Sequence, residues 1–128
     1  MGLVSFLAVG VGAAVGAWLR WGLGIWLNTT FPTLPMGTLA SNLIGGYLVG
    51  MAVAFFAQHP GLSPDLRLFV ITGFLGGLTT FSTFSAEAVT LMSRSEYGWA
   101  LAHVSGHLAG SLVLTLLGMV TMKAMLKG

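Results

Sequence analysis

Charged residues are scarce in this chain. Lysine, arginine, aspartate and glutamate together make up 6% of its 128 residues, whereas they account for about a quarter of an ordinary soluble domain. Hydrophobic residues make up 55% of the chain. This composition excludes an ordinary soluble domain and is typical of an integral membrane protein that contacts lipid.

Cysteine is absent, which excludes disulfide bonds, thiolate metal sites and cysteine nucleophiles. The formal net charge of +2 is too small to indicate a nucleic acid as a partner. A nucleophile, a base and an orienting group do not occur together in the sequence, so we do not expect an enzyme. Transport across the membrane and a structural role within it are the classes of function that remain.

Four apolar stretches are long enough to cross a bilayer. A hydrocarbon core of about 30 Å requires about 20 apolar residues in one helix, and such windows occur at 3–27, 37–57, 66–93 and 98–124. The connections between them are short and contain all four prolines, as is typical of turns. We therefore predict an all-α integral membrane protein, with residues 1–128 forming one domain of four transmembrane helices.

The third span is predicted to be broken near residues 76–80. Residues 73–87 read GFLGGLTTFSTFSAE, which places paired glycines and several hydroxyl side chains within an apolar stretch. Backbone that faces lipid must form its hydrogen bonds within its own helix, so a break at membrane depth must be buried in protein or line a wet cavity. The segment is therefore interpreted as a permeation element.

Polar and aromatic residues recur along this span at helical spacing. Thr79, Thr83 and Glu87 are four residues apart and predict a polar row on one helix face. Phe81 and Phe84 lie beside that row. Because an aromatic ring has a positive edge, rings presented edge-on can stabilise an anion, although packing is the ordinary role of phenylalanine in a membrane helix.

The other spans carry their own polar positions. Thr38, Ser41 and Asn42 cluster near the start of the second span, and the amide of Asn42 can donate to an anion or to a neighbouring helix. Arg20, at or just inside a membrane boundary, either reaches the lipid headgroups or binds backbone carbonyls at a pore mouth. For Asn42 and for Arg20, both of these alternatives stay open.

Four polar residues of the fourth span fall at four-residue steps, namely His103, His107, Ser111 and Thr115. This stripe indicates a wet lining, or helix-to-helix hydrogen bonds made by the two histidines. We do not expect a zinc site, because cysteine is absent and no carboxylate has the spacing of a metal ligand.

Membrane orientation is nearly balanced. With four spans, Arg67, Lys123 and Lys127 lie on one side of the membrane, and Arg20 and Arg94 lie on the other. Orientation follows the imbalance of such charges, so the chain either inserts both ways round or follows a weak bias. Four thin helices enclose little space, so we expect a dimer, which mixed orientations would allow to be antiparallel.

The sequence resembles the Fluc (CrcB) family of bacterial fluoride channels over nearly its whole length. The matching segments are GAWLRW at 16–21, GTL at 37–39, NL at 42–43, TGF at 72–74, GGLTTFSTFS at 76–85 with Glu87, and His107 with Gly110-Ser111. The order of the third-span motif is highly specific.

This resemblance implies a multi-pass protein of the inner membrane that exports cytoplasmic fluoride passively. It implies an antiparallel dual-topology homodimer with two pores and a central sodium ion bound by the backbone carbonyls of Gly76 and Thr79. By motif position, the family's phenylalanine box, pore asparagine and polar track are Phe81 and Phe84, Asn42, and Ser82, Thr83 and Ser111. Thr38, His107 and Glu87 complete the predicted fluoride pore.

A small multidrug resistance transporter is the main alternative, since it also has four short helices and dual topology. Such transporters depend on a carboxylate embedded in the first helix, and the first span here has none. The one embedded acid is Glu87, in the third span. A structural subunit of a larger complex is the third alternative.

Overall fold

The computed structural model describes residues 2–31 and 33–128, and these residues are almost entirely helical. The elements are α1 (Leu3–Leu27), α2 (Met36–Gln58), α3 (Pro64–Arg67), a π-helical segment (Leu68–Leu75), α4 (Gly76–Leu78), α5 (Phe81–Ser93) and α6 (Tyr97–Lys127). Four spans, Leu3–Leu27, Met36–Gln58, Pro64–Ser93 and Tyr97–Lys127, are long and apolar enough to cross a membrane. The four predicted spans are confirmed, with ends that agree within a few residues.

Side-chain hydrogen bonds support the starts of α2 and α3. The hydroxyl of Ser63 accepts a hydrogen bond from the Asp65 N–H at 3.2 Å, and Pro64 occupies the first turn of α3, where a missing N–H costs nothing. At the start of α2, Asn28 Oδ1 accepts from the backbone N–H groups of Gly37 and Thr38, at 2.7 and 3.3 Å. These bonds satisfy amides that have no partner within their own helix.

The third span is both broken and distorted. Thr79 and Thr80 have extended backbone angles (φ −94°, ψ 158° and φ −151°, ψ 117°), so the helix stops after Leu78 and restarts at Phe81. The break confirms the prediction for residues 76–80. The π-helical segment before it was not predicted from the sequence; such segments are rare and often lie at functional sites.

The break corrects one predicted helix face. Thr79, Thr83 and Glu87 were expected to form a continuous polar row, but Thr79 precedes α5 and has an extended backbone. The four-residue spacing places side chains on one face only within an uninterrupted helix. Thr83 and Glu87 therefore share one face of α5, as predicted, whereas the prediction that Thr79 continues this row is wrong.

The helices pack as two close pairs, α2 with α6, and α1 with the broken third span. Both contacts depend on glycine. A Cβ at Gly118 of α6 would collide with the Tyr47 carbonyl of α2, and a Cβ at Gly16 of α1 would collide with the Phe74 carbonyl. Many large apolar side chains on the outer faces of α1 and α6 are exposed, as expected for surfaces that contact lipid.

Candidate functional site

The break is held by Asn42 from the neighbouring helix α2. Asn42 Oδ1 accepts from the Thr80 N–H at 2.7 Å, and Asn42 Nδ2 donates to the Thr80 carbonyl at 3.0 Å. The Thr80 hydroxyl in turn accepts from the Thr83 N–H at 3.1 Å and caps the start of α5. The amide of Asn42 thus replaces the backbone partners that Thr80 lost when the helix stopped.

This arrangement diverts two helical donors. In a continuous helix the Thr80 N–H would donate to the carbonyl of Gly76, and the Thr83 N–H would donate to the carbonyl of Thr79. Here the first donates to Asn42 and the second to the Thr80 hydroxyl. The carbonyls of Gly76 and Thr79 therefore lose the donors of a regular helix at the point where we predicted ligands for a cation.

Arg20 binds the same region from α1. Its Nε donates to the Gly77 carbonyl at 3.0 Å, so of its two predicted roles the structure favours binding a backbone carbonyl. A hydrogen bond from a charged group is stronger than one between neutral groups. Arg20 therefore stabilises the short helix α4 immediately before the break.

The two phenylalanines lie immediately after the break. Phe81 is 79% exposed, and its ring meets the Phe84 ring edge-on, with centroids 5.5 Å apart. The Phe84 ring also contacts the rings of His103 and His107 on α6, at centroid distances of 5.4 and 4.6 Å. The rings therefore extend from the exposed surface to the buried histidines.

A groove of about 620 Å³ lies between α2, the broken span and α6. Seven of the predicted site residues line it, namely Asn42, Gly76, Thr79, Phe81, Phe84, His107 and Ser111. These residues come from three different spans, so the fold brings most of the predicted site to one place.

The other predicted pore residues lie outside this lining. Ser82 is exposed, with its hydroxyl 3.3 Å from that of Thr80, and Thr83 is half-buried. Thr38 is buried and donates through its hydroxyl to Glu87 Oε2 at 2.7 Å. The Thr38 hydroxyl thus holds one oxygen of the Glu87 carboxylate.

Glu87 belongs to a cluster that sequence reasoning missed. Its Oε1 lies 3.3 Å from His103 Nε2, and the ligand atoms of Glu87, His103 and His107 all lie within 4.8 Å of one another. The sequence analysis found no carboxylate with the spacing of a metal ligand, but the fold brings Glu87 to the histidines from another helix. Spacing along one helix could not find Glu87, because it comes from α5 whereas the histidines are on α6.

Asn42 also reaches this cluster. Its Nδ2 lies 3.0 Å from Nδ1 of His107, so the asparagine amide contacts both the break and a histidine. Since an amide nitrogen only donates, His107 Nδ1 is the acceptor, and in a neutral ring its proton is on Nε2. Of the two predicted roles of Asn42, the structure favours the contact with neighbouring helices, because both amide hydrogens are donated to protein groups.

Comparisons with known proteins agree with one another. The family described as CrcB-like protein, Camphor Resistance (CrcB), matches residues 7–119 of this chain. Three similar proteins are each named fluoride-specific ion channel FluC. The protein from Cupriavidus pinatubonensis is 62% identical over 121 residues, which cover 94% of this chain and 96% of the relative. The protein from Nitrosospira multiformis is 60% identical over 96% of both chains, and that from Thiobacillus denitrificans is 60% identical over 94% of this chain and 98% of its own.

Proposed function

The chain belongs to the CrcB family, and on that premise we propose that it is a fluoride-selective channel through which cytoplasmic fluoride leaves passively. The family assignment confirms the resemblance seen in the sequence motifs. It also confirms two broader predictions, that the chain is a multi-pass membrane protein and that it is not an enzyme.

The observation that carries this proposal is the groove at the break, where amide, hydroxyl and aromatic side chains from three of the membrane-spanning segments meet. Fluoride is small and strongly hydrated, so a pore must replace its water with hydrogen-bond donors. Asn42, Ser111, Phe81 and Phe84 line the groove, and ring edges that face the ion would serve as donors. Ser82 and Thr83 follow the break and supply further hydroxyls. Selectivity then arises from the width and lining of the path, as in other channels.

Asn42 has both of its amide hydrogens engaged, one by the Thr80 carbonyl and one by His107 Nδ1. We infer that fluoride takes the place of His107 Nδ1 as the acceptor of the second hydrogen. The bond to Thr80 meanwhile keeps the amide in position. In this role Asn42 is preorganised, so little ordering has to occur when the ion arrives.

We further propose an antiparallel, dual-topology homodimer with two pores. The groove of a single chain is open, and Phe81 is 79% exposed beside it. A second chain that covers the groove would remove the Phe81 ring from lipid and close the path. The near balance of lysine and arginine between the two sides supports insertion in both orientations. Single cysteines added at the C-terminus of this cysteine-free chain test this, because a membrane-impermeant reagent should label about half of them from outside.

We propose that a sodium ion binds the carbonyls of Gly76 and Thr79. Unwound backbone carbonyls within broken membrane helices bind sodium in other transport proteins, and the helical donors of these two carbonyls are diverted to Asn42 and Thr80. The ion would supply a fixed positive charge near mid-membrane, which offsets the unfavourable potential that an anion meets there. It is proposed as a structural ion that does not move with fluoride.

The test is anion efflux from liposomes that contain the purified protein, with fluoride and chloride measured side by side. We expect fast fluoride efflux that follows the fluoride gradient and the membrane potential, and hardly any chloride efflux. Neither ATP nor a proton gradient should be needed. Strict coupling of efflux to protons, or proton-driven efflux of a cationic drug, would instead support the multidrug transporter alternative.

A further inference from the structure

Three neighbouring polar atoms are buried and make no well-aligned hydrogen bond. They are Glu87 Oε1, His103 Nε2 and His107 Nε2, and the histidine residues that carry two of them are only 3% and 4% exposed. A buried polar group without a partner costs about 1–3 kcal/mol, so such a group calls for an explanation such as an ion. We propose that this cluster binds one divalent transition-metal ion, with Zn²⁺ the best match.

The ligand types are those that zinc prefers. Two imidazole nitrogens and one carboxylate oxygen form a known zinc set that leaves a fourth position open for water. Two ligands at 2.0–2.1 Å from a tetrahedral ion are about 3.3 Å apart, and His103 Nε2 and Glu87 Oε1 are 3.3 Å apart. Each of the three residues offers one ligand atom within 4.8 Å of the others, so a small rearrangement would bring all three to one ion.

Thr38 supplies the outer support that metal ligands require. Its hydroxyl donates to Glu87 Oε2 at 2.7 Å, which leaves Oε1 directed at the histidines. Partners of this kind fix the orientation of a ligand, and their loss costs roughly 10–100-fold in metal affinity. The carboxylate therefore has one oxygen held by protein and one available for the ion.

The proposed ion is linked to the break through His107. Its Nδ1 accepts from Asn42 Nδ2, but a neutral imidazole that binds metal through Nε2 carries its proton on Nδ1. The amide nitrogen of Asn42 cannot accept that proton. Metal binding therefore requires the hydrogen bond between Asn42 and His107 to break, while the bonds between Asn42 and Thr80 can stay.

Cobalt binding tests the site without measuring fluoride. The full-length protein, purified in detergent through a tag that contains no histidine, is titrated with Co²⁺ and then with competing Zn²⁺. We expect visible absorption bands of a four-coordinate ion, without thiolate bands because the chain has no cysteine. Dialysis followed by elemental analysis should find one ion per chain.

Matched variants locate the ion. His103→Gln keeps a polar side chain near Glu87 but removes the ligand nitrogen, so Co²⁺ affinity should fall by at least the roughly 10–100-fold expected for a lost supporting partner. His59→Gln is the control, because His59, the one histidine of the sequence outside the cluster, lies at the end of α2 against the Phe55 carbonyl. The Co²⁺ affinity of the His59→Gln variant should equal that of the unchanged protein.

The proposal is overturned if Co²⁺ gives no four-coordinate spectrum, if His103→Gln binds as tightly as the unchanged protein, or if His59→Gln removes binding. Should His103→Gln fail to fold, Thr38→Val decides, with an expected loss of roughly 10–100-fold through the carboxylate; unchanged affinity in that variant then refutes the site. Because none of these measurements involves fluoride, their failure leaves the proposed channel function untouched.

Discussion

Replacing Asn42 with aspartate should nearly abolish fluoride flux. The two side chains have the same shape, and the oxygen that accepts from the Thr80 N–H at 2.7 Å is kept. The second position changes from an NH₂ donor to a carboxylate oxygen, which then faces the Thr80 carbonyl where a 3.0 Å hydrogen bond existed. The variant therefore loses a donor and places a negative charge in the proposed path of an anion.

The charge is the larger of the two effects. The two hydrogen bonds that Asn42 Nδ2 donates, to the Thr80 carbonyl and to His107 Nδ1, are both lost, at about 1 kcal/mol each. Two like charges about 4 Å apart repel by about 4 kcal/mol at an effective dielectric constant of about 20. An added barrier of that size slows permeation by about 1,000-fold. Asn42→Ser loses three hydrogen bonds, two with Thr80 and one with His107, at about 1.5–4.5 kcal/mol in total, but it adds no charge and should retain more flux.

The assay is fluoride efflux from liposomes, with the amount of folded protein checked by gel filtration. Asn28→Asp is the matched control, because Asn28 lies outside the groove and its contacts with α2 use only the acceptor oxygen that aspartate keeps. Its flux should be unchanged. If Asn42→Asp and Asn42→Ser conduct equally well, Asn42 only ties α2 to the break, and its proposed role as a donor to fluoride is wrong.

Three further predictions concern the rings, the break and the packing. Phe84→Ile should strongly reduce flux in a folded protein, since an aliphatic side chain lacks the positive ring edge, whereas Phe6→Ile on the exposed face of α1 should not; equal flux in the two variants would reduce Phe84 to packing. Arg20→Gln should lower the unfolding temperature in detergent, because its charged hydrogen bond to a carbonyl contributes about 1.5–3 kcal/mol; an unchanged temperature would contradict this role. Gly118→Ala should destabilise the protein by about 1–3 kcal/mol through overpacking against α2, and Gly98→Ala, which has open space around it, is its control.

Local rules and the thickness of a bilayer account for what the sequence alone determined. A span needs about 20 apolar residues, so hydrophobic length located all four helices to within a few residues. The paired glycines and threonines located the break, because such backbone is excluded from lipid contact. The same segment carried the motif that identified the family.

Only the tertiary structure decided which polar groups meet. Asn42 could have faced an anion or another helix, and its bonds to Thr80 depend on how α2 packs against the broken span. Glu87 joins His103 because α5 packs on α6, a proximity that spacing within one helix cannot express. Helical periodicity predicts neighbours only along an unbroken helix, so it misplaced Thr79 and missed the cluster that joins two helices.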